Sequence, residues 1–273
     1  MRLLDILYIN TLRSLKLWLR FRVSFATSIV AMIANIAIFF FLGMAFGNAA
    51  NSAVAIYGTT FFSFVLVGIA FNQYALMAVN DYLRIIRTAY FSNWMEILLS
   101  SRTMGYYLLS TIVWSFILTT FNLILYLVFG VFLFGANLIF PPNWWMIFVI
   151  LFLTIISLSG IGLLGAAVFL RGAKGDLEPI TWLTGIFAAL VAGVYYPIEK
   201  LPAIVQTISK FLPHTYALRG VRLILLQGAG GGEIFSIIVY LALFSIVLFP
   251  LGYFLFIKSL KKAEREGTLV RWA

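Results

Sequence analysis

Apolar residues along this chain gather into six long runs, and the charged positions fall almost entirely between them. No charge occurs between Arg22 and Asp81, or between Arg102 and Arg171. A bilayer core takes about 20 residues per helix, so the first interval predicts spans near 24–46 and 54–79, joined by Gly47–Ala53. The second predicts spans near 105–134 and 146–170, with Phe140-Pro-Pro-Asn-Trp-Trp145 as turn and aromatic interface anchor. Runs at 179–196 and 234–257 supply the fifth and sixth, with Pro250 as an expected kink. The pattern therefore predicts an all-α integral membrane protein of six transmembrane helices forming one domain over 1–273. An even count places both termini on one side.

Two segments do not fit a span. In residues 1–22, Arg2, Asp5, Arg13, Lys16 and Arg20 fall within an arc of about 80° at 100° per residue, with Leu4, Leu7, Tyr8, Leu15, Trp18 and Leu19 opposite. That is an amphipathic helix lying in the membrane interface. A cleavable signal is the rival reading, but the next apolar run, Val23–Phe46, exceeds a signal's apolar region of roughly 7–15 residues.

The other segment is 197–232. Pro197, Pro202 and Pro213 each remove a backbone donor, so no single helix crosses here. Its pieces are nonetheless amphipathic: Leu201, Val205, Ile208 and Leu212 form one stripe, and Tyr216, Val221 and Leu225 follow after Pro213. Gly228–Gly232 ends the second piece. Two short half-apolar helices between spans predict a re-entrant hairpin, which requires protein or a water-filled cavity to satisfy its irregular backbone. An amphipathic surface loop remains the alternative.

Composition sharpens the class. Residues are 63% hydrophobic and 10% charged, against roughly 25% charged in a soluble domain. The net charge of +10 would suggest nucleic acid, but 15 of the 19 basic residues lie in the two termini and the 80–102 and 171–178 loops. That is the distribution of cytoplasmic loops. The hairpin, with Lys200, Lys210, Arg219 and Arg222, is then extracytoplasmic, and nucleic acid drops out as a partner. With one His and no Cys, histidine and thiolate metal sites are excluded.

Candidate chemistry is sparse. The chain holds no GxxxxGK[ST] phosphate loop. Gly160-Ile-Gly-Leu-Leu-Gly165 imitates a dinucleotide fingerprint, but it lies inside an apolar run, where small residues serve close helix approach. The predicted spans carry no ionisable residue, which argues against a proton-coupled carrier. Their neutral polar residues, among them Asn35, Thr59, Asn72, Thr119 and Asn122, are candidates to line a path or to bond between helices. In the 80–102 connection, Leu83, Ile86, Tyr90, Trp94 and Leu98 recur at helical spacing.

The order Gly193-x-x-Tyr-Pro197-Ile-Glu-x-Leu201-Pro202, then Leu212-Pro213-x-Thr-Tyr216-Ala-Leu-x-Gly-x-Arg222, resembles the region before the last span of type-2 ABC transporter permeases. These are membrane subunits of ATP-driven exporters. The segment Asn93-Trp94-Met95-Glu96-Ile97-Leu98-Leu99 is similar to a motif of the same family, in register at Glu96, Leu98 and Leu99; the family's Gly and Pro are replaced by Asn93 and Arg102. The match tilts toward the drug- and lipid-exporting branch. The resemblance implies that Tyr90, Trp94, Glu96 and Leu98 couple to a separate ABC ATP-binding subunit. It implies that Pro197, Leu201, Pro202, Val205, Ile208, Pro213, Tyr216 and Arg222 form an extracytoplasmic gate. It further implies a permease dimer in the cell membrane, no catalysis and no cofactor bound by this chain, with ATP and Mg held by the partner ATPase. An ATP-independent carrier or channel, or a polysaccharide- or glycolipid-exporting permease, stands as the alternative.

Overall fold

The computed structural model describes residues 3–91, 104–172 and 179–267. Its regular elements are all helical: α1 Leu3–Arg20, α2 Arg22–Ala53, α3 Phe61–Phe91, α4 Met104–Phe132, α5 Met146–Leu170, α6 Pro179–Leu190, α7 Ala203–Ser209, α8 Pro213–Gln227 and α9 Gly231–Arg265. Among the described residues, five helices (α2, α3, α4, α5 and α9) are long and apolar enough to cross a bilayer. This is a multi-pass, all-α membrane protein.

Helix ends follow local chemistry. Gly47, at φ 48 and ψ −122, breaks the helical path of α2 where the first span was expected to end. The chain then turns through a short 3-10 segment, Ala55–Tyr57, closed by left-handed Gly58 at φ 62. Asn51 Oδ1 accepts from the Phe61 amide at 2.9 Å, and Thr60 Oγ1 from the Ser63 amide at 3.3 Å. Together they cap two of the free donors that open α3. α3 therefore starts seven residues later than the expected 54.

α3 also runs past the expected boundary at 79. Leu83, Ile86 and Tyr90 continue its periodicity and are buried with Leu163, Phe169 and Phe256 of α5 and α9. Burial of that stripe carries the helix onward, and the charges beside it do not end it. The fifth expected run is shorter than predicted. α6 has 12 residues, about 18 Å at 1.5 Å per residue, against roughly 30 Å of hydrocarbon. Beyond Leu190 the chain leaves the helix, with left-handed Gly193 at φ 79.

α3 is the most enclosed of the five long helices. It packs against α2, α4, α5, α6 and α8, while α5 and α9 make the most extensive helix pair. Glycines set those seams. A Cβ on Gly160 of α5 would lie 2.3 Å from the Leu248 carbonyl oxygen of α9. One on Gly252 of α9 would lie 2.2 Å from Gly160 O, and one on Gly162 would lie 2.5 Å from Val79 O of α3. Thus the glycine run brings backbones together, as small residues do in membranes. Ser245 Oγ adds an interhelical bond to Leu153 O at 2.9 Å. α9 continues through Pro250 to Arg265, and Arg171 Nε donates to Ser259 Oγ at 2.8 Å.

Gly160→Ala should lower the midpoint of thermal unfolding in detergent by several degrees, because the added carbon meets backbone, which no rotamer change relieves. Gly43→Ala serves as the control, since its Cβ would find its nearest neighbour at 3.5 Å. Equal melting of the two variants would show that the α5–α9 seam has room to spare.

Candidate functional site

Two polar constructions are built along α3, one at its first turns and one at its middle. The first is built on α8, which Pro213 starts at its first turn and left-handed Gly228 ends. α8 is buried on nearly all sides. Ile150 of α5 and Ile237 of α9 lie against Gly220, and Phe71 of α3 sets its ring edge-on to His214, with centroids 5.4 Å apart. α3, α5 and α9 thus all bring their N-terminal halves to this one element, at the hairpin end of the bundle. The α4–α5 connection ties in too: Ile139 N donates to Leu225 O at 2.7 Å, and Asn143 Nδ2 to Ala229 O at 2.9 Å.

At its centre lies Arg222, 2% exposed. Its Nη1 donates to Gly193 O at 2.6 Å, and its Nη2 to Val194 O at 2.7 Å and Phe64 O at 3.2 Å. The guanidinium carbon stands 3.4 Å from the centroid of the Phe64 ring. A Cβ on Gly68 would collide with Val194 O and with the guanidinium, so only glycine lets α3 approach this closely. The planar fork therefore serves three carbonyls on two chain segments, something a lysine point charge cannot do. Among the described residues, no carboxylate comes within ion-pair distance of it. The charge is held by carbonyl dipoles and an aromatic face.

Of the residues expected to gate this end, Pro197 and Pro213 are buried. Leu201, Val205 and Tyr216 are partly buried, and Pro202 is exposed at the start of α7. Ile208 is 40% exposed, with Ile204 at 76% and Phe211 at 74%. The inward face of α7 runs instead through Val205 and Ser209 to Leu212. Sequence periodicity alone favours Ile208 over Ser209 there. Ser209 is accepted inside because its hydroxyl donates to Gln206 O at 2.8 Å. Tyr216 stacks toward Tyr240 of α9, with ring centroids 5.1 Å apart.

The second construction is a cleft of about 650 Å³ among α2, α3 and α4. Asn35, Thr119 and Asn122 meet in it, joined by Ser28, Gln73, Asn80, Asp81 and Tyr126. Eight of its twelve lining residues are polar, which marks it off from the apolar lipid-facing surfaces of the same helices. Asn72 is buried away from this cleft, and Thr59 lies in the turn before α3. Asp81 is the residue that sequence reasoning missed. It is 6% exposed, and its Oδ1 accepts from Arg84 Nε at 3.0 Å and Nη2 at 2.9 Å. Arg84 Nη2 continues to Ser115 Oγ of α4 at 3.3 Å. Asp81 Oδ2 and Asn35 Oδ1 are buried without a partner among the described residues. The signal was present, since the Leu83–Ile86–Tyr90 stripe keeps Asp81 inside a helix.

Tyr90, the first of the expected coupling residues, is 7% exposed and sets its ring edge-on to Phe169, centroids 5.7 Å apart. It fastens the end of α3 to α5. Trp94, Glu96 and Leu98 lie outside the described residues. Among the described residues no three His, Cys, Asp or Glu side chains converge to hold a metal.

Residues 89–254 match a family described as ABC-2 family transporter protein. Over 138 residues, 49% of this chain, the sequence is 29% identical to the linearmycin resistance permease protein LnrN of Bacillus subtilis (strain 168), a match spanning 35% of that protein. The matched stretch is thus about a third of the length of this curated relative.

Arg222→Lys should cost several kcal/mol, on the order of the 3–5 kcal/mol for breaking a buried charged network, and is expected to reduce the amount of folded protein recovered from membranes. Phe64→Leu keeps the Phe64 carbonyl but removes the ring, so it should be milder by at least half. Fluorescence-detected gel filtration of both variants reads this out. Parent-like recovery of Arg222→Lys would mean the three carbonyls are satisfied in another way.

Proposed function

The chain belongs to the ABC-2 family of transporter proteins, and from that premise we propose that it is the membrane-spanning permease subunit of an ATP-driven exporter of hydrophobic, drug-like or lipid-linked substrates. The observation that carries the reading is the cleft among α2, α3 and α4. A cavity mixing amides, hydroxyls and a carboxylate within an apolar bundle suits an amphipathic solute better than structural glue, which pairs its own polar groups off. The relative's printed name, a linearmycin resistance permease protein, supports a drug-like substrate. ATP and Mg belong to a separate ATP-binding subunit, and two permease copies complete the assembly.

In this reading the chain crosses six times. α5 begins at the hairpin end, and the start of α6 is at the other, where Thr181 shares a pocket with Asn80, Arg84 and Arg87. Gly193 and Val194 lie back at the hairpin end, against Arg222. α6 and the irregular 191–197 stretch together make the fifth crossing, with the hairpin re-entrant above it and both termini cytoplasmic. Residues 92–99 dock on the ATPase through Trp94 and Leu98, with Glu96 as a polar contact. Tyr90 contributes by anchoring that segment to α5. Closure of the ATPase pair would then pull on α3, which leads in sequence into residues 92–99 and lines both the cleft and the Arg222 centre.

Two measurements test this. The chain has no native Cys, so single cysteines at Lys200 and Arg265 report topology cleanly. An impermeant thiol reagent should label Lys200→Cys in intact cells and Arg265→Cys only after permeabilisation; the reverse pattern would invert the orientation. Aromatic anchors in interfaces often carry more than about 2 kcal/mol, so Trp94→Ala should lose most co-purifying ATPase. Asn122→Leu should keep the complex while abolishing substrate-stimulated ATP hydrolysis. Parent-like behaviour of both variants would sink the permease reading in favour of an ATP-independent carrier.

A further inference from the structure

A second cavity, of about 450 Å³, lies at the hairpin end between α7, α8 and α9, apart from the proposed transport cleft. Its floor is Arg222. A guanidinium carries five N–H donors, and the Arg222 Nε–H donates to nothing among the described residues. Two turns earlier on the same helix, Thr215, 9% exposed, also lines the pocket and has a buried Oγ1 that is unpartnered among the described residues. Two buried polar groups thus stay unsatisfied at the wall of an open pocket, where a ligand group would repay them.

The pocket's charge says which ligand. Lys210 and Arg219 line it above Arg222. Arg219 is paired with Glu233 at 2.8 Å, but both side chains are about half exposed, so that pair screens little of the field. Glu199 is the acidic residue of the lining, and it is exposed. Arg222 itself faces no carboxylate within ion-pair distance among the described residues. The pocket is therefore cationic at its floor and mixed at its mouth. Tyr216 and Tyr240 form one edge of it, and Tyr240 stands on the α9 face that also exposes Val239, Leu243 and Val247. Aromatic side chains in such a position mark headgroup depth. On the adjoining helix, Ile204, Ile208 and Phe211 form a second exposed apolar stripe.

We infer that this pocket is a binding site for a phosphate-type anion, entered from the membrane interface, with a phospholipid headgroup as its occupant. The phosphate would accept from Arg222 Nε, Thr215 Oγ1 and the Lys210 ammonium, while acyl chains follow the apolar face of α9. Arg222 then has two duties, holding the irregular backbone with its Nη groups and presenting Nε to the ligand. The inference does not depend on what the protein transports.

The test is ligand-dependent thermal stabilisation of the protein purified in detergent in the assembly it forms in the membrane. Short-chain phosphatidylglycerol should raise the unfolding midpoint saturably, and the matching diacylglycerol without phosphate should not. Inorganic phosphate should act only at much higher concentration; if it matches the lipid, the site is a phosphate site whose source is the free anion. A basic side chain near an anionic headgroup is worth about 1 kcal/mol, so Lys210→Gln should weaken the apparent affinity by about fivefold. Glu199→Gln should tighten it, since it removes the negative charge at the mouth. Both residues are exposed, so neither change should prevent folding. Opposite signs at two neighbouring surface residues would not arise from a general loss of packing. Equal stabilisation by diacylglycerol, no response to either phosphate compound, or unchanged affinity in both variants would overturn the proposal.

Discussion

Backbone that leaves helical geometry inside a membrane bundle must find partners for its carbonyls, and in this protein Arg222 supplies them. Residues 191–194 are buried, with Val194 fully so, yet they lie outside any helix. Without the guanidinium, Gly193 O and Val194 O would lose the side-chain donor that meets them, which is costly in an apolar setting. One side chain on α8 reaches both, and adds Phe64 O and the Phe64 ring from α3. The placement of the hairpin, the approach of α3 at Gly68 and the unwinding after α6 are therefore consequences of a single contact. A lone cation at this depth is expensive, which is why its surroundings are so fully specified.

α3 is the element that both polar constructions share. Its first turn carries the ring under Arg222, its middle forms a wall of the cleft, and its last turns are pinned to α5 by Tyr90 on Phe169. Helix–helix contact below the hairpin is close because glycines at 160, 162 and 252 remove the side chains that would hold backbones apart. Such seams permit little local deformation. A displacement imposed at residue 91 would be carried along α3 as a rigid body, with cleft and hairpin following.

The two polar constructions differ in kind. Around Arg222 the Nη donors are matched to three backbone carbonyls and hold the fold, while Nε and Thr215 Oγ1 stay unmatched. In the cleft, Asp81 is neutralised on one oxygen by Arg84 while the other oxygen and Asn35 Oδ1 stay unmatched. Unmatched buried polar atoms are unstable in an idle scaffold and reasonable in a site that meets a passing ligand.

Most of the helices were legible from sequence because a membrane imposes long charge-free runs: α2, α4, α5 and α9 lie where those runs lie, and Gly47 breaks the first where its glycine said it would. The close-approach role of the Gly160 run was legible too, since an apolar setting leaves little else for it to do. The length of α3 was not, because charges at Asp81 and Arg84 set the helical 80–102 segment apart from the span until the buried stripe beyond them is seen against α5 and α9. Nor could sequence decide which face of α7 turns inward. Seven residues are too few for periodicity to choose between Ile208 and Ser209, and the decision rests on a local hydroxyl bond and on what α8 leaves uncovered. The same holds for Arg222. In sequence it is one of four basic residues of a loop segment, and only the tertiary fold brings Gly193, Val194 and Phe64, separated from it by up to 158 positions, around one guanidinium. Local pattern determines where a chain enters the membrane, but long-range satisfaction of polar groups decides how it closes once inside.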